Sequence, residues 1–188
     1  NTKLSQLGSD KWHKIKQRAK RKIDDIAVEL LRVQAKRELS NGYKFSLDNL
    51  AYNKFCSLFP YVETDDQLNT INDVISDMCS IKSMDRVVCG DVGFGKTEVI
   101  LRASFIAANN DKQVIIIVPT TVLAKQHFET FKRRFAKYSH NISIVTRATS
   151  RPERLSIINK LYNNQIHILI GTHALLNKDF KCADLGLL

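Results

Sequence analysis

Eight consecutive residues carry the clearest chemistry in the chain: Gly90, Asp91, Val92, Gly93, Phe94, Gly95, Lys96 and Thr97. They satisfy the phosphate-loop pattern G-x-x-x-x-G-K-[ST] at every fixed position. Glycines let a backbone turn tightly, so that its N–H groups point inward at an anion. Lys96 places a mobile ammonium on the outer phosphates of a nucleotide, and Thr97 offers a hydroxyl to Mg²⁺. The plain alternative is a glycine-rich turn that matches by chance. The flanks argue against it. Residues 85–89 read as a short buried strand leading in, and residues 98–108 as a helix leading out, with Val99, Leu101, Phe105 and Ile106 apolar. A helix beginning there adds the positive end of its dipole to the phosphate site.

The elements that would position this loop follow in a regular order. From about Asp85 the chain reads strand, helix, strand, helix, strand, helix, strand. Residues 113–118 form a β-branched apolar run, Pro119-Thr120-Thr121 breaks it and caps a helix to about Lys137, and residues 142–145 make the next strand. Val122, Leu123, His127, Phe128, Phe131 and Phe135 are expected on the inward side of that helix, with Lys125, Lys132, Arg133 and Arg134 elsewhere. Ser150-Arg151-Pro152-Glu153 is a capping box with proline in the first turn, and residues 166–170 form a strand before the loop Gly171-Thr172-His173. A last apolar run, residues 185–188, begins one more strand. This alternation implies an α/β fold, a parallel sheet with helices on both faces, whose ligands sit at the carboxyl ends of the strands. The phosphate loop, Thr120, Thr121, Arg147, Thr172 and His173 all fall at that edge.

Upstream, residues 1–45 read as a basic linker helix and residues 46–188 as the nucleotide-binding part. Leu4 to Gly8 is a connector, and Ser9 or Asp10 caps a helix from about Lys11 to Ser40, stopped by Asn41-Gly42 with Gly42 suited to a left-handed cap. Trp12, Ile15, Ala19, Ile23, Ile26, Leu30 and Val33 recur at steps of three and four, one apolar stripe. Such a helix spans roughly 45 Å. It either packs along the domain or acts as a strut to something upstream; both readings stand. Ser46 caps a short helix with Leu47, Leu50, Ala51, Phe55 and Leu58 inward, ended by Phe59-Pro60. Thr64-Asp65-Asp66-Gln67 is a capping box before a helix burying Leu68, Ile71, Val74, Ile75 and Met78.

The 188 residues carry a formal net charge of +10, with 11 Lys and Arg against 5 Asp and Glu in residues 1–40. A basic balance favours a polyanionic partner, most often nucleic acid. Cys56, Cys79, Cys89 and Cys182 are scattered without a C-x-x-C pair, which argues against a zinc site or disulfide framework and suits a reducing cytoplasm. No apolar run is long enough to cross a bilayer, and the first residues lack a signal-peptide core, so no membrane partner is expected.

Three stretches together resemble superfamily 2 nucleic-acid translocases: the phosphate loop from Cys89; the stretch from Phe59 to Gln67; and downstream Val118 to His127 with Ile170 to Leu176. Within that superfamily the wording is most similar to the bacterial transcription-repair coupling factors, with RecG-type fork helicases as near relatives. The basic helix after Leu7-Gly8-Ser9 resembles the coupling factors' segment joining polymerase-binding module to motor. The resemblance implies an incomplete first RecA-like lobe that uses ATP and Mg²⁺. Phe59 would stack on adenine and Gln67 would bond its edge; Thr120, Thr121, Thr172, His173 and Arg147 would touch the backbone of double-stranded DNA without reading sequence. It further implies ATP-driven motion on duplex DNA that displaces stalled RNA polymerase and recruits excision-repair proteins. The family's acidic metal-binding motif follows a Leu-Leu-type strand, and this chain ends at Leu188. The expectation is an internal piece of a larger protein that binds ATP weakly and hydrolyses almost none alone. Two other readings remain: a small nucleotide kinase or switch-type NTPase, against which stand the missing lid and the Phe59/Gln67 pair; and a non-catalytic DNA- or protein-binding module with a vestigial phosphate loop.

Overall fold

The computed structural model describes residues 10–188. The connector expected at residues 4–8 and the capping role of Ser9 lie outside the described residues. The chain divides into two compact units, one ending at Gly42 and the other beginning at Tyr43. The first contains α1 (Asp10–Leu39), 30 residues whose apolar positions recur at helical spacing. Gly42 does not take the left-handed cap conformation. The end is closed instead by Ser40, whose backbone N–H and hydroxyl both donate to the Arg37 carbonyl.

The second unit is built on a four-stranded, all-parallel sheet in the order β2-β3-β1-β4. Its strands are β1 (Gln113–Ile117), β2 (Ile142–Val145), β3 (Ile168–Gly171) and β4 (Leu185–Leu187). The helices are α2 (Asn49–Cys56), α3 (Asp65–Met78), α4 (Lys96–Asn109), α5 (Thr121–Arg134) and α6 (Arg151–Tyr162), with a 3₁₀ turn at His173–Leu176. Strand alternation splits the apolar side chains between two cores. Val114, Ile116, Ile168 and Ile170 meet α2 to α5 on one face; Ile115, Val145 and Leu169 meet Ile157 and Leu161 of α6 on the other. Gln113 is fully buried yet satisfied: its amide donates to the Leu161 and Ile166 carbonyls (2.8 and 2.9 Å) and accepts from the Asp184 N–H (3.0 Å). It thereby ties the start of β1 to the end of α6 and to the entry of β4. No helix among the described residues is long and apolar enough to cross a membrane.

Four local expectations are corrected. Residues 83–90 form no strand and pair with none. Met84 and Val88 pack toward the core while Val87 is 86% exposed. The sheet ends at β4, whose outer edge takes up no further strand among the described residues. A cavity of about 250 Å³ lined by Met84, Val88, Val99 and Leu187 separates the segment from the sheet. The cap of α2 is Asp48, whose carboxylate accepts from the Leu50 and Ala51 N–H groups, not Ser46, which bonds Asn110. That start turns Leu50 outward, 70% exposed, and brings Tyr52 in beside Phe55. Leu68 and Val122 are exposed rather than buried, both lying in first turns where the helix face is set by the cap. Arg134, expected outward, is buried.

Candidate functional site

The phosphate loop lies between the unpaired segment and α4. Helix α4 packs on β1 and leads into it through the turn at Asn110 and Asp111, so the start of α4 sits at the carboxyl end of the sheet. Gly93 and Gly95 adopt φ of 87° and 70°, the left-handed region that lets the chain double back. At Gly95 the constraint is twofold, because a Cβ there would lie 2.4 Å from the Gln67 amide nitrogen. Among the described residues, the backbone N–H groups of Gly93, Gly95, Lys96 and Thr97 have no protein acceptor. First-turn amides are those a helix leaves free. Here they stand at the N-terminal, positive-dipole end of α4, where such donors can take up an anion. Lys96 reaches back over the loop, its Nζ donating to the Gly90 (2.5 Å) and Asp91 (2.7 Å) carbonyls.

Gln67 makes both halves of the capping box. Its Oε1 accepts from the Thr64 N–H (3.0 Å), and its own N–H donates to the Thr64 hydroxyl (3.3 Å). Its Nε2 in addition donates to the Phe94 carbonyl at 2.8 Å. One side chain therefore splints α3 to the phosphate loop: the capping role foreseen for it is present, and the Nε2 expected to meet adenine is engaged with the Phe94 carbonyl. Phe59 lines a cleft of about 560 Å³ with Tyr61, Gly95, Thr97, Arg133 and Lys137. Aromatic rings, Thr97, three cations (Arg133, Arg134 and Lys137) and Glu98 thus border one space. The donors, the glycine with no room for a Cβ, and this cleft fit a nucleoside triphosphate. Among the described residues no group of three or more His, Cys, Asp or Glu could hold a metal ion; an Mg²⁺ carried in with a nucleotide would meet the Thr97 hydroxyl from the loop and take its other ligands from phosphate and water.

A buried charge cluster underlies this cleft. Glu98 accepts from Arg102 Nε (2.9 Å) and Arg134 (2.7 Å), and Arg102 also donates to Glu63. Glu98, Arg102 and Arg134 are each under a tenth exposed. Burial pushes the Glu98 carboxyl above its ordinary 4.5, with the Arg102 bond and the Arg134 charge opposing. The Arg102 hydrogen bond holds Glu63 below 4.5. Burial lowers the Arg134 guanidinium, against the pull of Glu98. Both guanidiniums stand within 6 Å of the Phe59 ring, and that of Arg134 lies 4.7 Å from Phe55. The cluster fixes the start of α4 relative to the aromatic wall of the cleft. Only the Glu98/Arg102 spacing of four was visible in the sequence; nothing there marked Arg134 as its partner.

The remaining candidates gather at the carboxyl ends of three neighbouring strands. Ile117, Gly171 and Val145 stand side by side in register, so the segments that follow them emerge together. Gly171 has no room for a side chain: a Cβ would lie 2.4 Å from the Val145 carbonyl oxygen and 2.9 Å from Leu175. Thr120 caps α5 through its hydroxyl (3.2 Å from the Leu123 N–H), and Thr121 is half-buried behind it. Arg147 is exposed on a tight turn closed by bonds between Thr146 and Thr149. His173 is exposed, whereas Thr172 is buried, with its N–H directed at the Val145 carbonyl. Of the five residues that follow these strand ends, Thr120, Arg147 and His173 are exposed, Thr121 is half-buried and Thr172 is buried.

Residues 64–188, from the Gln67 capping box through β4, match the model of the DEAD/DEAH box helicase family, and the chain belongs to that family. Over nearly its whole length it is similar to transcription-repair-coupling factors: 50% identical to that of Haemophilus influenzae across 98% of the chain, 48% to that of Escherichia coli across 100%, and 47% to that of Bacillus subtilis across 99%. It spans 16% of the length of each of these relatives. Among solved structures it is similar to RecG bound to a three-way DNA junction, with a TM-score of 0.77 and 31% identity over 83% of this chain and 22% of that one.

Proposed function

We propose that the chain supplies the nucleotide-binding half-site and part of the DNA track of an ATP-driven translocase of the coupling-factor kind. The observation that carries this is the set of free amides at Gly93, Gly95, Lys96 and Thr97, at the same end of the sheet as Arg147 and His173. In this reading Phe59 stacks on adenine, the loop amides and Lys96 hold the phosphates, and Thr97 ligates Mg²⁺. Bound ATP supplies the phosphoryl-transfer free energy; this chain's residues bind and orient it. The edge at Thr120, Thr121, Arg147, Thr172 and His173 positions duplex DNA through its backbone. Displacing stalled RNA polymerase and recruiting excision-repair proteins belong to the proposed whole protein. The higher identity to coupling factors than to the RecG structure favours that kind of motor over a fork helicase.

Calorimetric titration of ATP–Mg²⁺ into the chain and its Lys96→Ala variant tests the nucleotide site. At least tenfold weaker binding is expected on removal of a charge-assisted contact. Equal affinities would leave the loop vestigial, and the chain a binding module.

A further inference from the structure

A cleft of about 830 Å³ lies between α6 and the segment following the 3₁₀ turn. Four cations line it from two separate elements: Arg151 and Arg154 from α6, Lys178 and Lys181 from the segment. Asp179 is the one acidic residue in the lining. Among the described residues no carboxylate lies within ion-pair distance of Arg151, Lys178 or Lys181, and all three are exposed. Arg154 is half-buried and held over the Phe180 ring at 4.9 Å, which fixes its guanidinium at the wall. A solvated charged face usually mixes signs; unpaired cations converging across a concave space instead create a focused positive potential.

The cleft is continuous with the sheet edge. Thr149, which closes the turn carrying Arg147, is itself part of the lining, and Arg151 follows at the first position of α6. From there the cleft follows α6 to Tyr162, a run of roughly 16 Å. One strand of a duplex places a phosphate about every 3.4 Å along the axis, so that length faces about five phosphates.

We infer that this cleft is a second phosphate-backbone site, which takes a DNA strand on from the Arg147/His173 edge and along α6. The site rests on the DNA reading given above and extends it to residues outside the helicase motifs. It binds without reading bases, since its donors are cationic side chains suited to phosphate rather than to base edges.

The test is fluorescence anisotropy with labelled duplexes of about 30 and about 10 base pairs over a salt series. The triple variant Arg151→Gln/Lys178→Gln/Lys181→Gln is compared with the unaltered chain, with the charge-preserving Arg151→Lys/Lys178→Arg/Lys181→Arg, and with Arg147→Gln/His173→Gln. Each phosphate contact contributes about 0.9 to the slope of log affinity against log salt. The glutamine variant is expected to lose about 2 to 3 units of slope on the long duplex. The charge-preserving variant retains the slope, which separates charge from folding. The edge variant weakens both duplexes. An unchanged long-duplex slope in the glutamine variant, with the edge variant still weakened, overturns the second site and leaves the edge reading standing. Absence of DNA binding by the unaltered chain overturns both. Polyglutamate is the second probe: if the glutamine variant loses polyglutamate binding and keeps its DNA slope, the cleft is a surface for acidic protein segments and the inference fails.

Discussion

Replacing Glu98 by Gln isolates the buried charge cluster beneath the nucleotide cleft. The substitution keeps the shape and one acceptor oxygen but removes the charge that two guanidiniums share. Arg102 retains Glu63; Arg134 does not have a second carboxylate, and its Nε and Nη1 already lack partners in a side chain only 8% exposed. Removing one partner of a buried pair costs about 3–5 kcal/mol because the survivor is stranded. The amide oxygen left behind puts the expectation at the low end, about 3 kcal/mol. That is a large part of a typical stability of about 5–15 kcal/mol, and at about 2–4 °C per kcal/mol it lowers Tm by roughly 6–12 °C. The companion Glu98→Gln/Arg134→Met takes away the stranded cation and is expected within about 1 kcal/mol of the unaltered chain. Urea and thermal unfolding of the four corners of this cycle give the coupling directly. A loss below about 1 kcal/mol for Glu98→Gln, or a double variant less stable than the single one, would refute the view that Glu98 works as the charged hub.

Three further outcomes follow from the geometry. Gly95→Ala puts a Cβ on the Gln67 amide in a left-handed backbone position; about 1–2 kcal/mol of stability should be lost, with a weaker ATP titration, and an unchanged titration would detach Gln67 from the loop. Gly171→Ala presses on the Val145 carbonyl and Leu175 at the junction of β2 and β3, and unfolding measurements should give a loss of about 1–3 kcal/mol, equal stability being the contrary result. Burial holds His127 and His140 below the ordinary 6.5, so the unfolded chain takes up protons first; the stability they confer is complete above pH 6.5 and declines as pH falls through their folded values. Replacing His140 with Asn should flatten the acid limb of a Tm-against-pH curve, and an unaltered limb would exclude it as a contributor.

The parallel sheet and the phosphate loop were legible in the sequence because each is locally written. β1 and β3 are apolar runs between turn residues, and the loop is fixed by residue types at fixed spacing. The capping box at Thr64 and Gln67 formed in full, whereas at Ser150 only its hydroxyl half did, accepting from the Glu153 N–H. Residues 85–89 misled for the opposite reason: a strand is made by its neighbour, and composition alone cannot supply one. Arg134 was unreadable because its burial depends on Glu98, 36 residues away. The second basic cleft was invisible for the same reason, being assembled from α6 and a segment that begins 15 residues past its end. The double duty of Gln67 was half legible: Thr64 announces the capping box, but the bond to Phe94 exists only once α3 packs beside α4.

The central claim is that the amides of Gly93, Gly95, Lys96 and Thr97 are the phosphate cradle. Amide proton–nitrogen correlation spectra of the isotope-labelled chain, titrated with ATP–Mg²⁺, test it residue by residue. These four resonances should move most, in step with one another and saturably, with Phe59 neighbours following and α6 silent. Saturable binding that leaves the four unmoved while shifting resonances elsewhere would contradict it.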